Sequence, residues 1–175
     1  MKTPEKVGPK SVMDLYPDVC QWLENFLKGR FRQVEIDIHA FPHTPISRFL
    51  STYNRGNFLG EWRSWNIKVD VVGFVHHANK PTELVLVECK NTKLTLAHLS
   101  QLLMYSRIAR PLYSFLISPA GFSRSLVALL HEYHRHDVLV YHSEDGKLPR
   151  QVIVAEWEMA TCNLNRHTMI GGAGL

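Results

Sequence analysis

The chain has 175 residues, 45% of them hydrophobic, which is enough to fill the core of one domain. Its net charge of +4 permits a polyanionic partner such as nucleic acid without requiring one. The three cysteines, Cys20, Cys89 and Cys162, are too few and too scattered for a disulfide framework, which favours reduced thiols in a cytoplasmic protein. No apolar run approaches the roughly 18 residues of a membrane span, so we expect no membrane partner.

The composition along the chain predicts one domain over residues 11–165. Residues 1–10 are polar and carry two prolines, which is typical of a flexible N-terminal arm. Residues 166–175 end in small residues, and we expect them to form a flexible tail.

The first third of the chain predicts a helix, a strand and a long loop. Apolar residues recur every three or four positions over residues 11–29, which indicates a helix that ends near Gly29. Residues 33–41 alternate between apolar and polar, as a strand with one buried side does. Apolar residues follow no regular spacing over residues 43–66. We therefore expect a long functional loop there, with room for one short helix.

The rest of the chain interleaves strands and helices. Residues 68–75 and 83–90 are rich in β-formers and flank a stretch of turn composition, which predicts a hairpin. The later predicted elements are a helix over 94–109, a strand over 113–117, a helix over 123–133, and strands over 137–141 and 151–159. This order predicts an α/β fold, with helices on both faces of a mixed central β-sheet.

Three residues of the predicted hairpin carry the chemistry. Glu88 and Lys90 share a face of the second strand, because strand side chains repeat every second residue. A turn centred on Asn79 would place Asp70 directly opposite Glu88. Two opposed carboxylates are unfavourable unless a cation compensates, and a divalent cation suits hard oxygen ligands. We therefore expect Asp70, Glu88 and the carbonyl of Cys89 to bind Mg²⁺ or Mn²⁺.

A divalent ion at this place suits hydrolysis of a phosphodiester bond. The ion would polarise a phosphate oxygen and lower the pKa of a bound water molecule. Lys90 would position that water or stabilise the developing charge. The alternative is an ordinary strand whose exposed face carries Glu88 and Lys90 as a surface ion pair.

The arrangement resembles the PD-(D/E)XK, restriction-endonuclease-like nuclease superfamily over roughly residues 12–141. Asp70 lies in K-V-D-V-V-G, and Glu88 and Lys90 lie in V-E-C-K-N, with Val69 where the motif name has proline. The resemblance implies a restriction-endonuclease-like sheet flanked by helices. It also implies a metal-dependent deoxyribonuclease, with Mg²⁺ or Mn²⁺ as cofactor and DNA as partner.

A second element lies on the helix that follows. Gln101 and Tyr105 are one turn apart and project from the same side of that helix. They resemble the Q-x-x-x-Y element of the RecB-like branch, which implies that both line the site; the alternative is a polar helix face formed by chance. The resemblance also implies a carboxylate from the first helix near the metal, for which Glu24 is the candidate and Glu35 and Asp37 are rivals.

Substrate binding is expected mainly from residues 43–65. Arginines contact phosphates, and aromatic rings stack on exposed bases. The candidate nucleic-acid contacts are Arg48, Tyr53, Arg55, Arg63, Trp65 and Lys93. The alternative is an ordinary loop whose aromatic residues pack on the core.

Two other functions remain open. The chain could be a catalytically idle DNA-binding or assembly module with the nuclease fold, which the intact Asp70, Glu88 and Lys90 argue against. It could also be the nuclease subunit of a larger repair, transposition or defence complex, because the chain is small and shows no separate DNA-reading domain. The sequence leaves open whether it acts as a monomer, as a homodimer or with a partner protein.

Overall fold

The computed structural model describes residues 11–41, 43–53, 55, 57–58 and 62–172. The expected N-terminal arm, residues 1–10, lies outside these residues. The strands are β1 (Glu35–Ala40), β2 (Val71–His76), β3 (Glu83–Cys89), β4 (Tyr113–Ser118), β5 (Val140–His142), β6 (Arg150–Glu158) and β7 (Asn163–Leu164). The α-helices are α1 (Tyr16–Arg30), α2 (Ile46–Leu50), α3 (Leu96–Ala109) and α4 (Arg124–Val127).

The strands of the described residues join into one seven-stranded mixed sheet in the order β1-β2-β3-β4-β6-β5, with β7 paired to β6. Strands β3, β4 and β6 run parallel, and the other pairs are antiparallel. The predicted α/β fold with a mixed sheet is therefore confirmed. Across the described ranges, no helix is long and apolar enough to cross a bilayer.

The hairpin has the predicted register. Val71 lies opposite Val87 and Val75 lies opposite Glu83, so the pairs are centred on Asn79. Asp70 comes one residue before β2, and continuing the register places it across from Glu88. The sheet thus brings the two carboxylate-bearing positions to the same end of the hairpin.

Helices cover both faces of the sheet, as predicted. Helix α1 packs Leu23 and Leu27 into the same core as Val87, on one face. Helix α3 packs Leu102 into the core that contains Leu86, on the other face. Side chains alternate along β3, so Glu88 lies on the same face of the sheet as Leu86. This is the face that α3 covers.

Two predicted elements in the last third differ from the structure. The predicted strand over 137–141 begins as a 3₁₀ turn, His136–Leu139, and extends only over β5. The carboxylate of Asp137 accepts two hydrogen bonds from the guanidinium of Arg135, which favours the turn. The predicted helix over 123–133 is α4 followed by a π-helical turn over Ala128–Glu132.

Part of the expected tail packs on the sheet. Ile170 is buried in the core, and its backbone exchanges two hydrogen bonds with that of Val154. Strand β7, which the sequence did not predict, leads the chain back towards this contact. The domain therefore continues past residue 165 at least to Ile170.

The buried face of helix α3 should contribute more to protein stability than its exposed face. We therefore predict that substitutions on the two faces change the free energy of unfolding by clearly different amounts. Leu102→Ala should lower the free energy of unfolding by about 2–5 kcal/mol, because Leu102 is fully buried and its loss leaves a cavity. Met104→Ala on the same helix should change it by no more than about 0.5 kcal/mol, since Met104 is 53% exposed. Urea unfolding monitored by circular dichroism measures both values, and equal effects would contradict this assignment of faces.

Candidate functional site

A cleft of about 290 Å³ opens where β3 ends, next to helix α3. Asp70, Glu88 and Lys90 line it from the sheet. Gln101 and Tyr105 line it from the helix. With Cys89, which also lines it, six of the predicted site residues share one cavity.

Glu88 is the most deeply buried acidic group of this cleft, with 4% of its surface exposed. Its Oε1 atom accepts a hydrogen bond of 2.5 Å from the ammonium of Lys90. Its Oε2 atom is buried and has no hydrogen-bond partner among the described residues. Burial and the nearby charge of Asp70 outweigh Lys90 and raise the pKa of the Glu88 carboxyl to about 7.

Asp70 is held by two donors from different elements. Its Oδ2 atom accepts the backbone N–H of Cys89 at 2.8 Å. Its Oδ1 atom accepts the hydroxyl of Tyr16, the first residue of α1, at 2.5 Å. Burial and this bond to Asp70 raise the pKa of Tyr16, so the hydroxyl stays protonated and donates. The carboxylate of Asp70 is fixed in orientation by the sheet and the helix together.

Cys89 lies between Glu88 and Lys90 and contributes its backbone to the site. Its side chain is buried in the core on the α1 side of the sheet. Burial, followed by the charges of Asp70 and Glu88, raises the pKa of the Cys89 thiol well above its usual value. The thiol therefore stays protonated. Cys20, Cys89 and Cys162 are free thiols, as the sequence indicated.

Lys90 supplies positive charge to the cleft. Burial lowers the pKa of its ammonium, but Glu88 and Asp70 outweigh burial and leave the pKa above its usual value. The side chain is 25% exposed, so a bound molecule could reach it. The site thus sets the ammonium of Lys90 beside the carboxylates of Asp70 and Glu88.

Two features orient helix α3 so that Gln101 and Tyr105 face the cleft: the cap that fixes where the helix begins, and the apolar side that it buries. Thr95 caps the helix, and its hydroxyl accepts the N–H of His98 while His98 Nδ1 accepts the N–H of Thr95. Leu102 faces the core, which turns the other side towards the cleft. Gln101 Nε2 donates to the hydroxyl of Tyr105 at 3.3 Å.

The donor set of the cleft fits a hard divalent cation. In the described ranges, no three side chains of His, Cys, Asp or Glu come together as a metal-binding group. Mg²⁺ is usually bound through one or two carboxylates together with water and substrate phosphate, so two carboxylates are sufficient. The unpartnered Oε2 atom of Glu88 is the kind of buried oxygen that a cation would satisfy.

The structure does not bring Glu24 to the cleft. Its carboxylate pairs with Lys28 at 2.6 Å, two turns beyond Tyr16 on α1. The rival carboxylates of Glu35 and Asp37 both pair with Arg55. Tyr16 is the residue of α1 that reaches the site.

The structure separates the predicted nucleic-acid contacts into two groups. Tyr53 stacks on Phe74 and donates its hydroxyl to Asp37, Arg55 lies in an ion pair, and Trp65 is buried at 6% exposure. Tyr53 and Trp65 therefore pack within the fold, and Arg55 is linked to strand β1 through Glu35 and Asp37. The exposed members are Arg48, Arg55, Arg63 and Lys93, and of these Arg55 is already engaged by Glu35 and Asp37.

Several residues that line the cleft were not predicted from the sequence, among them His43 and Lys68. His43 and Lys68 lie on adjacent segments, which are tied together by a hydrogen bond from Ile46 N to Ile67 O. Lys68 is two residues before Asp70, so period-two alternation could have identified it. Tyr16 gave no such signal, because a single tyrosine on a helix is typical of an ordinary core position.

No protein-family model matches this chain, and comparisons with curated proteins and with solved structures also find no match. The function is therefore inferred from the geometry of the cleft itself.

Proposed function

We propose that the chain is a divalent-metal-dependent deoxyribonuclease of the PD-(D/E)XK superfamily, with the restriction-endonuclease-like form of the α/β fold. The observation that carries the proposal is the meeting of Asp70, Glu88 and Lys90 in one cleft with Gln101 and Tyr105. Continuing the register of the β2–β3 hairpin by one residue places Asp70 across from Glu88, which supports the proposal. A chance surface ion pair does not account for the burial of Glu88 or for its unpartnered oxygen.

Each side chain has a proposed task. Asp70, Glu88 and the Cys89 carbonyl would hold Mg²⁺ or Mn²⁺. When bound, the ion supplies charge that polarises a phosphate oxygen and makes water more acidic. Lys90 donates hydrogen bonds to the reacting phosphate or to the attacking water. Gln101 and Tyr105 orient the scissile phosphate from the α3 side.

The cations around the cleft favour a phosphate-bearing substrate. Lys68 and Lys90 line it, and Lys93 is exposed shortly after β3. Phosphate contacts of this kind position a nucleic acid without reading its sequence. We propose that Arg48, Arg63 and Lys93 extend these contacts along the backbone, with DNA as the partner.

One observation favours a second candidate, the catalytically idle DNA-binding or assembly module. Both oxygens of Asp70 already accept hydrogen bonds, and Glu88 pairs with Lys90. A site whose polar groups are so largely paired with its own residues could be the remnant of a former active site. Against this reading, a carboxylate offers about four acceptor positions, so Asp70 can still ligate a cation.

A substrate panel tests the proposal. We expect the purified chain to cut at least one of labelled linear, circular and branched DNA in Mg²⁺ or Mn²⁺, and to cut none in EDTA. Cleavage of the circular substrate would show endonuclease activity, and cleavage confined to linear ends would show exonuclease activity. Tight binding of DNA with no cleavage in either metal, alone and with candidate partner proteins, would favour the idle module instead.

A further inference from the structure

Tyr16 links helix α1 to the candidate metal site. Its ring is buried, with 6% of the residue exposed, and its hydroxyl reaches Asp70 Oδ1 at 2.5 Å. The residue is placed by a capped turn, because the Ser11 hydroxyl accepts the N–H of Met13 and Asp14 accepts the N–H of Ser11. The position of the hydroxyl is thus set by local structure and by core packing.

The hydroxyl and the backbone N–H of Cys89 hold Asp70 from two sides. One donor binds Oδ1 and the other binds Oδ2, so rotation of the carboxylate would break at least one bond. Each oxygen retains an acceptor position, because a carboxylate has about four. The arrangement restricts the orientation of Asp70 and leaves it able to bind a cation.

We propose that Tyr16 is a positioning residue, which orients the Asp70 carboxylate for a divalent cation. This inference rests on the proposed function. Hydrogen-bond partners of metal ligands keep those ligands in their binding geometry, and their loss typically lowers metal affinity or activity by about 10- to 100-fold. Tyr16 acts through Asp70 and is not assigned contact with the substrate.

The chain offers a matched control for this contact. Outside the candidate cleft, Tyr53 donates its hydroxyl to Asp37 Oδ2, also at 2.5 Å, and the same hydroxyl lies 2.9 Å from His76 Nε2. Tyr16→Phe and Tyr53→Phe each remove one hydroxyl from a tyrosine–aspartate pair and keep the ring. General effects of losing such a bond should appear in both variants, and effects on metal binding should appear only in Tyr16→Phe.

The experiment measures the Mn²⁺ dissociation constant by calorimetry for the wild-type chain and both variants. We expect Tyr16→Phe to raise it by about 10-fold or more and Tyr53→Phe to leave it within about 2-fold of wild type. The cleavage rate of Tyr16→Phe should approach that of wild type at saturating Mn²⁺, which a purely structural defect would not do. Thermal unfolding in EDTA checks that both variants fold.

The outcomes separate this inference from the proposed function. If the wild-type chain binds Mn²⁺ and Tyr16→Phe binds it equally well, Tyr16 does not position Asp70, and the nuclease proposal stands. If Tyr53→Phe weakens Mn²⁺ binding as much as Tyr16→Phe, the effect is structural and the inference is also wrong. A wild-type chain that binds no Mn²⁺ overturns both.

Discussion

Glu88→Gln is expected to abolish detectable DNA cleavage and to weaken Mn²⁺ binding by more than the roughly 10- to 100-fold typical of residues that only support a ligand. The change keeps the shape of the side chain and removes its charge. Glu88 is buried, and its Oε2 atom has no hydrogen-bond partner in the described part of the chain. Calorimetric titration with Mn²⁺ and gel assays of cleavage measure the two effects.

The same variant should not lose stability. A buried carboxylate beside another carboxylate is costly to the folded state, and an amide removes that charge. We therefore expect the free energy of unfolding of Glu88→Gln, measured in EDTA, to equal or exceed that of wild type. A carboxylate kept at the expense of stability is typical of a functional site.

Glu83→Gln is the matched control for this prediction. Glu83 lies at the other end of β3, where it pairs with Lys80 and His77. Its substitution should leave Mn²⁺ affinity and cleavage near the wild-type values. The metal assignment fails if Glu88→Gln binds Mn²⁺ as tightly as wild type, or if Glu83→Gln impairs binding equally.

Local patterns predicted the elements that bear the candidate site. Period-two alternation and the turn around Asn79 were sufficient for the register that sets Asp70 across from Glu88. The three- and four-residue spacing on α3 was sufficient to place Gln101 and Tyr105 on one side. These features depend on contacts between residues close in sequence, which is why a single sequence reveals them.

Contacts between distant residues were not predictable in the same way. The bond from Tyr16 to Asp70 joins residues 54 positions apart, and no spacing rule encodes it. The aromatic residues of the loop were ambiguous for another reason, since rings that stack on bases also fill cores. Trp65 fills the core, and Tyr53 packs on Phe74.

Lys90→Ala is expected to lower the cleavage rate by roughly 10²- to 10³-fold, the effect typical of removing one electrostatic donor from a transition state. Lys90 lines the cleft and keeps its positive charge beside Glu88. Removing it leaves Asp70, Glu88 and the Cys89 backbone in place. Single-turnover cleavage should fall while the DNA dissociation constant stays within a few-fold of wild type, because the loss concerns the reacting phosphate.

Lys80→Ala is the matched control for Lys90, because Lys80 forms a comparable pair with Glu83 at 3.0 Å at the far end of β3. Its loss should leave cleavage unchanged, since surface ion pairs contribute little and Lys80 lies outside the cleft. Mn²⁺ affinity should persist in Lys90→Ala, because the variant removes a competitor for Glu88 Oε1 and no ligand. If Lys90→Ala cuts DNA at the wild-type rate, Lys90 has no catalytic role and serves only as the counter-ion of Glu88.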